Sequence, residues 1–209
     1  MVTLAAISPL WLATRAAGVV ALLLLTTTLV LGVIDVSRWS SPRWPRFAID
    51  GVHRSAALLS VVFVAVHVAT TVVDGYVPIG WIDAVVPFAS GYRTFSVALG
   101  SVAFDILLAL GITGLLRQRI GHRVWRAVHW AAYACWPIAL VHAFGTGSDA
   151  TQPWMVAVGG SCVALVVAAV AVRVGGAAAG HPGVGGDSRP VGVAGGWTGA
   201  TRAESGPTR

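Results

Sequence analysis

Four histidines lie inside apolar stretches of the sequence, and neutral imidazole is a ligand of iron, copper and zinc. His53 and His67 are fourteen residues apart, and His129 and His142 are thirteen residues apart. At a helical rise of about 1.5 Å per residue, both intervals correspond to roughly 20 Å, about two-thirds of a hydrocarbon core of about 30 Å. Two neighbouring membrane helices would therefore offer one histidine pair near each face of a membrane.

The number of ligands in each pair limits the metal. A structural zinc site ordinarily takes four protein ligands, whereas each histidine layer supplies two, with no Asp, Glu or Cys at the same depth. A haem iron already has four porphyrin nitrogens and needs only one or two axial ligands. Two b-type haems, each held by two histidines from facing helices, are therefore the predicted cofactors. A transporter that binds zinc or copper ions at these layers is an alternative, and the missing carboxylates argue against it.

Four arginines are candidates for pairing with haem propionates, because a guanidinium binds a carboxylate through charge-assisted hydrogen bonds. Arg54 and Arg126 lie at the level of the first histidine of each stretch. Arg15 or Arg93 lies at the level of the second. We therefore count Arg54 and Arg126 among the candidate cofactor-binding residues.

The composition indicates an integral membrane protein. Of 209 residues, 56% are hydrophobic and 11% are charged, and the mean hydropathy is +0.78. This is more apolar surface than a soluble core of this size could bury. The 14 basic residues, all arginine, give a net charge of +6, but in a membrane protein their placement matters more than their sum. We predict a multi-pass protein of the cell membrane that contacts lipid and binds no nucleic acid.

Five apolar segments predict an all-α bundle of five transmembrane helices. Their approximate bounds are residues 11–34, 50–73, 95–116, 124–144 and 153–174. One haem-binding domain would cover residues 1–174. Residues 175–209 are rich in Gly, Pro and small residues and are predicted to form a disordered cytoplasmic tail.

The arginines predict the orientation of the bundle. The loops after the first and third helices hold seven arginines, without the helix-starting Arg54, whereas those after the second and fourth hold only Arg93. Because basic loops stay in the cytoplasm, the N-terminus is predicted outside and the C-terminus in the cytoplasm. The second and fourth helices then run parallel. This arrangement pairs His53 with His129 and His67 with His142.

The helical faces test this pairing. Fourteen residues return a helix to within about 40° of the starting face, so His53 and His67 share a face. Thirteen residues leave His142 about 140° away from His129 on an ideal helix. Pro137 lies between them, and proline can kink a membrane helix or change its winding. The fourth helix is therefore predicted to be distorted.

The chain resembles the haem-binding core of the ferric reductase-like transmembrane domain. The resemblance lies in two histidines fourteen residues apart on the second helix, His53 and His67, and two histidines thirteen apart on the fourth, His129 and His142. That group includes iron reductases, NADPH oxidases and the haem-binding subunit of a bacterial methionine-sulfoxide reductase system. The resemblance implies that the chain carries electrons across the membrane. In that family a cytoplasmic flavin and nicotinamide domain typically supplies them, whereas nothing after Val174 resembles a GxGxxG unit. A separate cytoplasmic flavoprotein or the quinone pool is therefore the expected donor.

Other functions stay open at this point. The favoured prediction is the transmembrane subunit of an oxidoreductase, and the alternative is a non-enzymatic haem-binding partner that senses redox state or assists assembly. Asp105 falls near the middle of the third helix, where it would either relay protons or form a hydrogen bond between helices. His122 is predicted to be a solvated loop residue. Cys135 and Cys162 are predicted to be small buried residues.

Overall fold

The computed structural model describes residues 8–36 and 46–179, and over these residues all regular structure is helical. Five spans are long and apolar enough to cross a membrane, which confirms the predicted all-α bundle of five membrane helices. The predicted disordered tail, residues 175–209, needs a correction at its start, because residues 175–179 form the last part of a helix. The rest of the tail and the loop arginines Arg38 and Arg43 lie outside the described residues. In chain order the helices are α1 (Pro9–Val36), α2 (Arg46–Asp74), α3 (Trp81–Val85), α4 (Thr94–Leu115), α5 (Arg117–Ile120), α6 (His122–His129), α7 (Ala132–Thr146) and α8 (Pro153–Ala179).

Two regions differ from the expected outline. The predicted long loop after α2 contains a short helix, α3, against which the buried Ser101 of α4 packs: its hydroxyl donates to the Asp83 carbonyl at 2.5 Å. The fourth span needs a correction, because it is not one continuous helix over residues 124–144. It consists of α6 and α7, which are separated by a turn at Trp130 and Ala131.

The turn between α6 and α7 supplies the distortion that the thirteen-residue spacing requires. Three amides in or just after the turn bond three residues back rather than four, as in a 3₁₀-helix, whereas the amide of Trp130 donates to the Arg126 carbonyl at 3.2 Å. Each residue of a 3₁₀-helix turns by about 120° and rises about 2.0 Å, so three such residues add roughly 60° and 1.5 Å to an α-helical path. The turn lies just before Pro137, whose ring crowds the carbonyl four residues earlier. The bonds are Ala131 to Val128 (2.9 Å), Tyr133 to Trp130 (3.2 Å) and Ala134 to Ala131 (3.0 Å).

The core of the bundle is small and contains few polar groups. Trp136 is buried against Leu22 and Cys162, and its indole N–H donates to the hydroxyl of Thr26 at 2.9 Å. Thr26 in turn donates to the Leu22 carbonyl one turn earlier on α1, at 2.8 Å. A hydroxyl that donates to the carbonyl one turn earlier is tolerated in a membrane helix, because its hydrogen-bonding capacity is used within the same helix. Cys135, as predicted, is also buried.

Candidate functional site

The structure brings the four membrane histidines together as two pairs. The ring centres of His53 and His129 are 6.3 Å apart, and those of His67 and His142 are 6.4 Å apart. The planes of the rings meet at 67° in the first pair and at 85° in the second. Since partners in each pair come from α2 and from α6 or α7, these two spans run in the same direction.

The spacing of the rings fits two imidazoles on opposite sides of one metal ion. An ion lies about 2.0 Å from an imidazole nitrogen, and that nitrogen lies about 1.1 Å from the ring centre, which predicts a separation of roughly 6.2 Å between two such centres. Each axial ring can rotate about its bond to the metal, so the large angles between the planes are compatible with this arrangement. Over the residues described, no group of three or more His, Cys, Asp or Glu side chains converges. The donor set therefore suits a metal whose other ligands come from a cofactor.

Three of the four rings are oriented by backbone carbonyls. Each donates from Nδ1 to a carbonyl of a neighbouring helix. A carbonyl can only accept, so Nδ1 carries the proton and Nε2 of the neutral ring has the free lone pair that a metal needs. The bonds run from His53 to Thr28 (3.0 Å), from His67 to Thr14 (2.8 Å) and from His142 to Ser96 (2.7 Å).

A glycine makes room for each of these three rings. A Cβ atom on Gly100 would lie 2.6 Å from Nδ1 of His142, and one on Gly18 would lie 3.0 Å from Nδ1 of His67. On Gly32 the same atom would be 3.3 Å from Cε1 of His53. Every glycine follows its accepting carbonyl by four residues, one helical turn. We call each carbonyl with its glycine a carbonyl seat; the three seats are Thr14–Gly18, Thr28–Gly32 and Ser96–Gly100.

Sequence reasoning missed the carbonyl seats, although the sequence contains a signal for them. The two seats on α1 are fourteen residues apart, as are the two histidines of α2. Since His67 meets the first seat and His53 the second, α1 and α2 are antiparallel and in register. A hydroxyl residue followed by glycine at the fourth position, repeated at the histidine interval, would have identified both.

The fourth ring, His129, is held differently. Neither of its nitrogens forms a hydrogen bond with any residue that the structure describes. Instead it stacks on the indole of Trp125, with ring centres 4.8 Å apart and an angle of 23° between planes. The guanidinium of Arg117 lies over the same indole, 4.3 Å from its centre. His129 is thus fixed by a stack on the arginine-rich side of the bundle.

A cavity of about 320 Å³ adjoins the His67–His142 pair. Its walls near the rings include the apolar residues Val64, Leu107 and Ala139. This agrees with the predicted apolar space between the helices, and both imidazoles of the pair line the cavity.

The candidate arginines lie at both ends of the bundle. Arg15 lines the mouth of the cavity, where it forms an ion pair with Asp149 and stacks on Trp11. Arg93 donates to the Gly145 carbonyl at 2.7 Å. Arg54 and Arg126 are exposed. That any of them pairs with a propionate stays a prediction.

Asp105 lies outside the histidine site. It is partly buried near the middle of α4, and it forms no hydrogen bond or ion pair with the residues the structure describes. His122 is exposed at the start of α6.

Comparison with protein families gives a match over residues 17–140 to the ferric reductase like transmembrane component. The chain belongs to this family. The matched segment of the ferric reductase-like domain contains three of the paired histidines, and the fourth, His142, lies two residues beyond its end. Searches of curated proteins and of solved structures give no match. Family membership and the five apolar spans together indicate that the chain is a multi-pass integral membrane protein.

Proposed function

We propose that this ferric reductase-like chain is a b-type cytochrome with two haems that carries electrons across the bilayer. It would serve as the transmembrane subunit of an oxidoreductase. The observation that carries the proposal is the presence of two histidine pairs, at 6.3 and 6.4 Å, each at the spacing of two imidazoles that share one metal ion. Their separation along α2 is fourteen residues, or roughly 21 Å, which fits one cofactor towards each membrane face.

Haem would supply one-electron redox chemistry at each layer. His53 with His129 would hold one haem and His67 with His142 the other, and with two protein ligands each haem would have no coordination position left for a substrate. This favours electron transfer over ligand activation. The carbonyl bonds of His53, His67 and His142 hold the tautomer whose Nε2 binds metal. Arg15 or Arg93 at one level, and Arg54 and Arg126 at the other, would pair with propionates.

The direction of the chain in the membrane follows from the arginines. We propose that the N-terminus is outside, so that the His53–His129 layer is the cytoplasmic one. The electrons would then come from a separate cytoplasmic flavoprotein or from the quinone pool, and they would leave from the His67–His142 layer. The cavity at that layer supports a second cofactor there.

Haem quantitation and a reduced-minus-oxidised spectrum of membranes that contain the full chain test the proposal. We expect about two haems per chain, and loss of about one in each of the variants His53→Ala, His67→Ala, His129→Ala and His142→Ala. The two variants of one layer should lose the same spectral component. His181→Ala, which changes a histidine of the predicted tail, is the matched control and should retain both. Four variants with unchanged pigment would refute the site.

A second measurement separates an electron carrier from a haem-binding sensor. The purified protein is reduced chemically and then mixed with a ferric chelate or with oxygen. An electron-transfer subunit should be reoxidised rapidly, whereas a sensor without an acceptor should stay reduced.

A further inference from the structure

Three of the four ligand candidates use carbonyl seats, and the fourth does not. The histidine repeat nevertheless predicts where a fourth seat would be. Gly114 follows Gly100 by fourteen residues on α4, as Gly32 follows Gly18 on α1. Leu110, four residues before Gly114, would supply the carbonyl. The sequence thus contains the backbone elements of a seat for His129.

The structure leaves that position on α4 unused. Among the described residues, a Cβ atom on Gly114 would meet nothing within 4 Å, whereas one on Gly100 would collide with the ring of His142. The Leu110 carbonyl accepts a bond from the hydroxyl of Thr113 at 3.3 Å. His129 is therefore not packed on α4 in the way that His142 is.

The depth of His129 in the membrane does not explain why it has no carbonyl seat on α4. Thirteen residues that include about three in a 3₁₀ turn rise roughly 21 Å, the same as fourteen α-helical residues. His129 therefore lies near the level of Gly114. What distinguishes it is the indole of Trp125, four residues earlier on the same helix, which stacks on its ring.

We propose that Trp125, covered by Arg117, is the positioning residue for His129 and takes the place of the fourth carbonyl seat. The indole stacks on the imidazole with ring centres 4.8 Å apart, and the Arg117 guanidinium lies over the same indole, 4.3 Å from its centre. Stacking restricts the tilt of the imidazole, and the cation–π contact with Arg117 restrains the indole in turn. The inference rests on the proposed haem function, because it assigns a ligand of one layer.

This difference makes the two layers unequal. The His67–His142 layer has two rings oriented by carbonyls, and the His53–His129 layer has one. A hydrogen bond from the second imidazole nitrogen raises the basicity of a ligand and fixes its direction. His129 would therefore be the haem ligand that is easiest to displace, and its orientation depends on α5 and α6 at the arginine-rich end.

The test uses the full chain, purified with its haem, and three changes at the stack. Trp125→Leu removes the aromatic face, Trp125→Phe retains one, and Arg117→Gln removes the cation. We expect Trp125→Leu to weaken binding of one haem by about 10- to 100-fold, a typical effect of losing an outer-sphere partner. The haem that remains at that layer should gain a high-spin signal and bind carbon monoxide when reduced. Trp125→Phe should restore the wild-type spectrum, and Arg117→Gln should have an intermediate effect.

Two control variants make the result specific. Arg119→Gln removes an arginine of the same short helix that is not over the indole, and it should change nothing. Gly114→Ala distinguishes the two ways of holding His129. If the imidazole of His129 is held by Trp125, the methyl group added at Gly114 meets open space, and both haems should remain.

The outcomes separate the inference from the proposed function. If Gly114→Ala removes one haem, or Trp125→Leu leaves both low-spin signals unchanged, His129 is not positioned by Trp125, while the two-haem function stands. If the wild-type chain holds no haem, the proposed function fails and the inference fails with it.

Discussion

Gly100 of α4 and His142 of α7 are in direct contact, with the imidazole lying where a methyl group on the glycine would be. A Cβ atom at that position would be 2.6 Å from Nδ1, closer than real Cβ atoms approach. The neighbouring Ser96 carbonyl accepts the Nδ1 proton at 2.7 Å, so the ring cannot move away without losing that bond. The glycine is thus part of the ligand site, although it has no side chain to contribute.

The three seat glycines should tolerate alanine to different degrees. Gly100→Ala is expected to be the most damaging, Gly18→Ala intermediate and Gly32→Ala the mildest, following the distances of their added atoms from the rings. Overpacking of this kind costs about 1–3 kcal/mol. Haem content and the redox spectrum of each variant provide the measurement, with the first two affecting the His67–His142 layer. Gly111→Ala, whose new atom lies 3.9 Å from Val61, is the control. Equal effects at all four positions would contradict the carbonyl seats.

The turn before Pro137 should be exchangeable for one extra residue. Pro137→Ala alone is expected to let α6 and α7 join as a regular helix, which rotates His129 by about 60° relative to His142. One alanine inserted after Ala131 in the Pro137→Ala chain restores a fourteen-residue spacing and should recover the lost haem. The same insertion in a chain that keeps Pro137 should not give the wild-type haem content. Spectra of the three chains test this, and a wild-type spectrum from the chain with both the insertion and Pro137 would show that Pro137 does not set the turn.

The ion pair of Arg15 with Asp149 links α1 to the segment between α7 and α8. The pair is about three-quarters buried, with side chains 20% and 27% exposed. Arg15→Gln and Asp149→Asn should each lower thermal stability, and the double variant should show a coupling of about 1 kcal/mol. If Arg15 also binds a propionate, Arg15→Gln alone should reduce haem content. Equal haem loss in both single variants would indicate a purely structural role.

The bond between Trp136 and Thr26 should contribute measurably to the core. Thr26→Val leaves the buried indole N–H without its acceptor, at a cost of about 1–3 kcal/mol. Thr27→Val is the matched control, because that hydroxyl is exposed and bonds only to the Leu23 carbonyl. Unfolding of the solubilised protein followed by circular dichroism measures both. Equal destabilisation by the two changes would mean that the indole bond contributes little.

The sequence by itself determined the membrane class, the five spans and the four histidines. Hydropathy and residue spacing are local properties, so they are readable without contacts. The pairing of His53 with His129 needed one further inference, that the second and fourth spans run parallel. The arginine distribution supplied it, and the ring distances agree with that pairing.

The tertiary structure alone decided how the rings are held. A backbone carbonyl is present at every residue, so the repeat of Thr14 and Gly18 at Thr28 and Gly32 points to two positions on α1, but only the packing shows that their carbonyls accept from histidines. Glycine has many uses, and only packing separates Gly100, where an added Cβ atom would collide with a ring, from Gly114, where it would meet none of the described residues within 4 Å. The position of the turn at Trp130 likewise depends on how α6 and α7 pack, because proline permits a distortion without fixing its place.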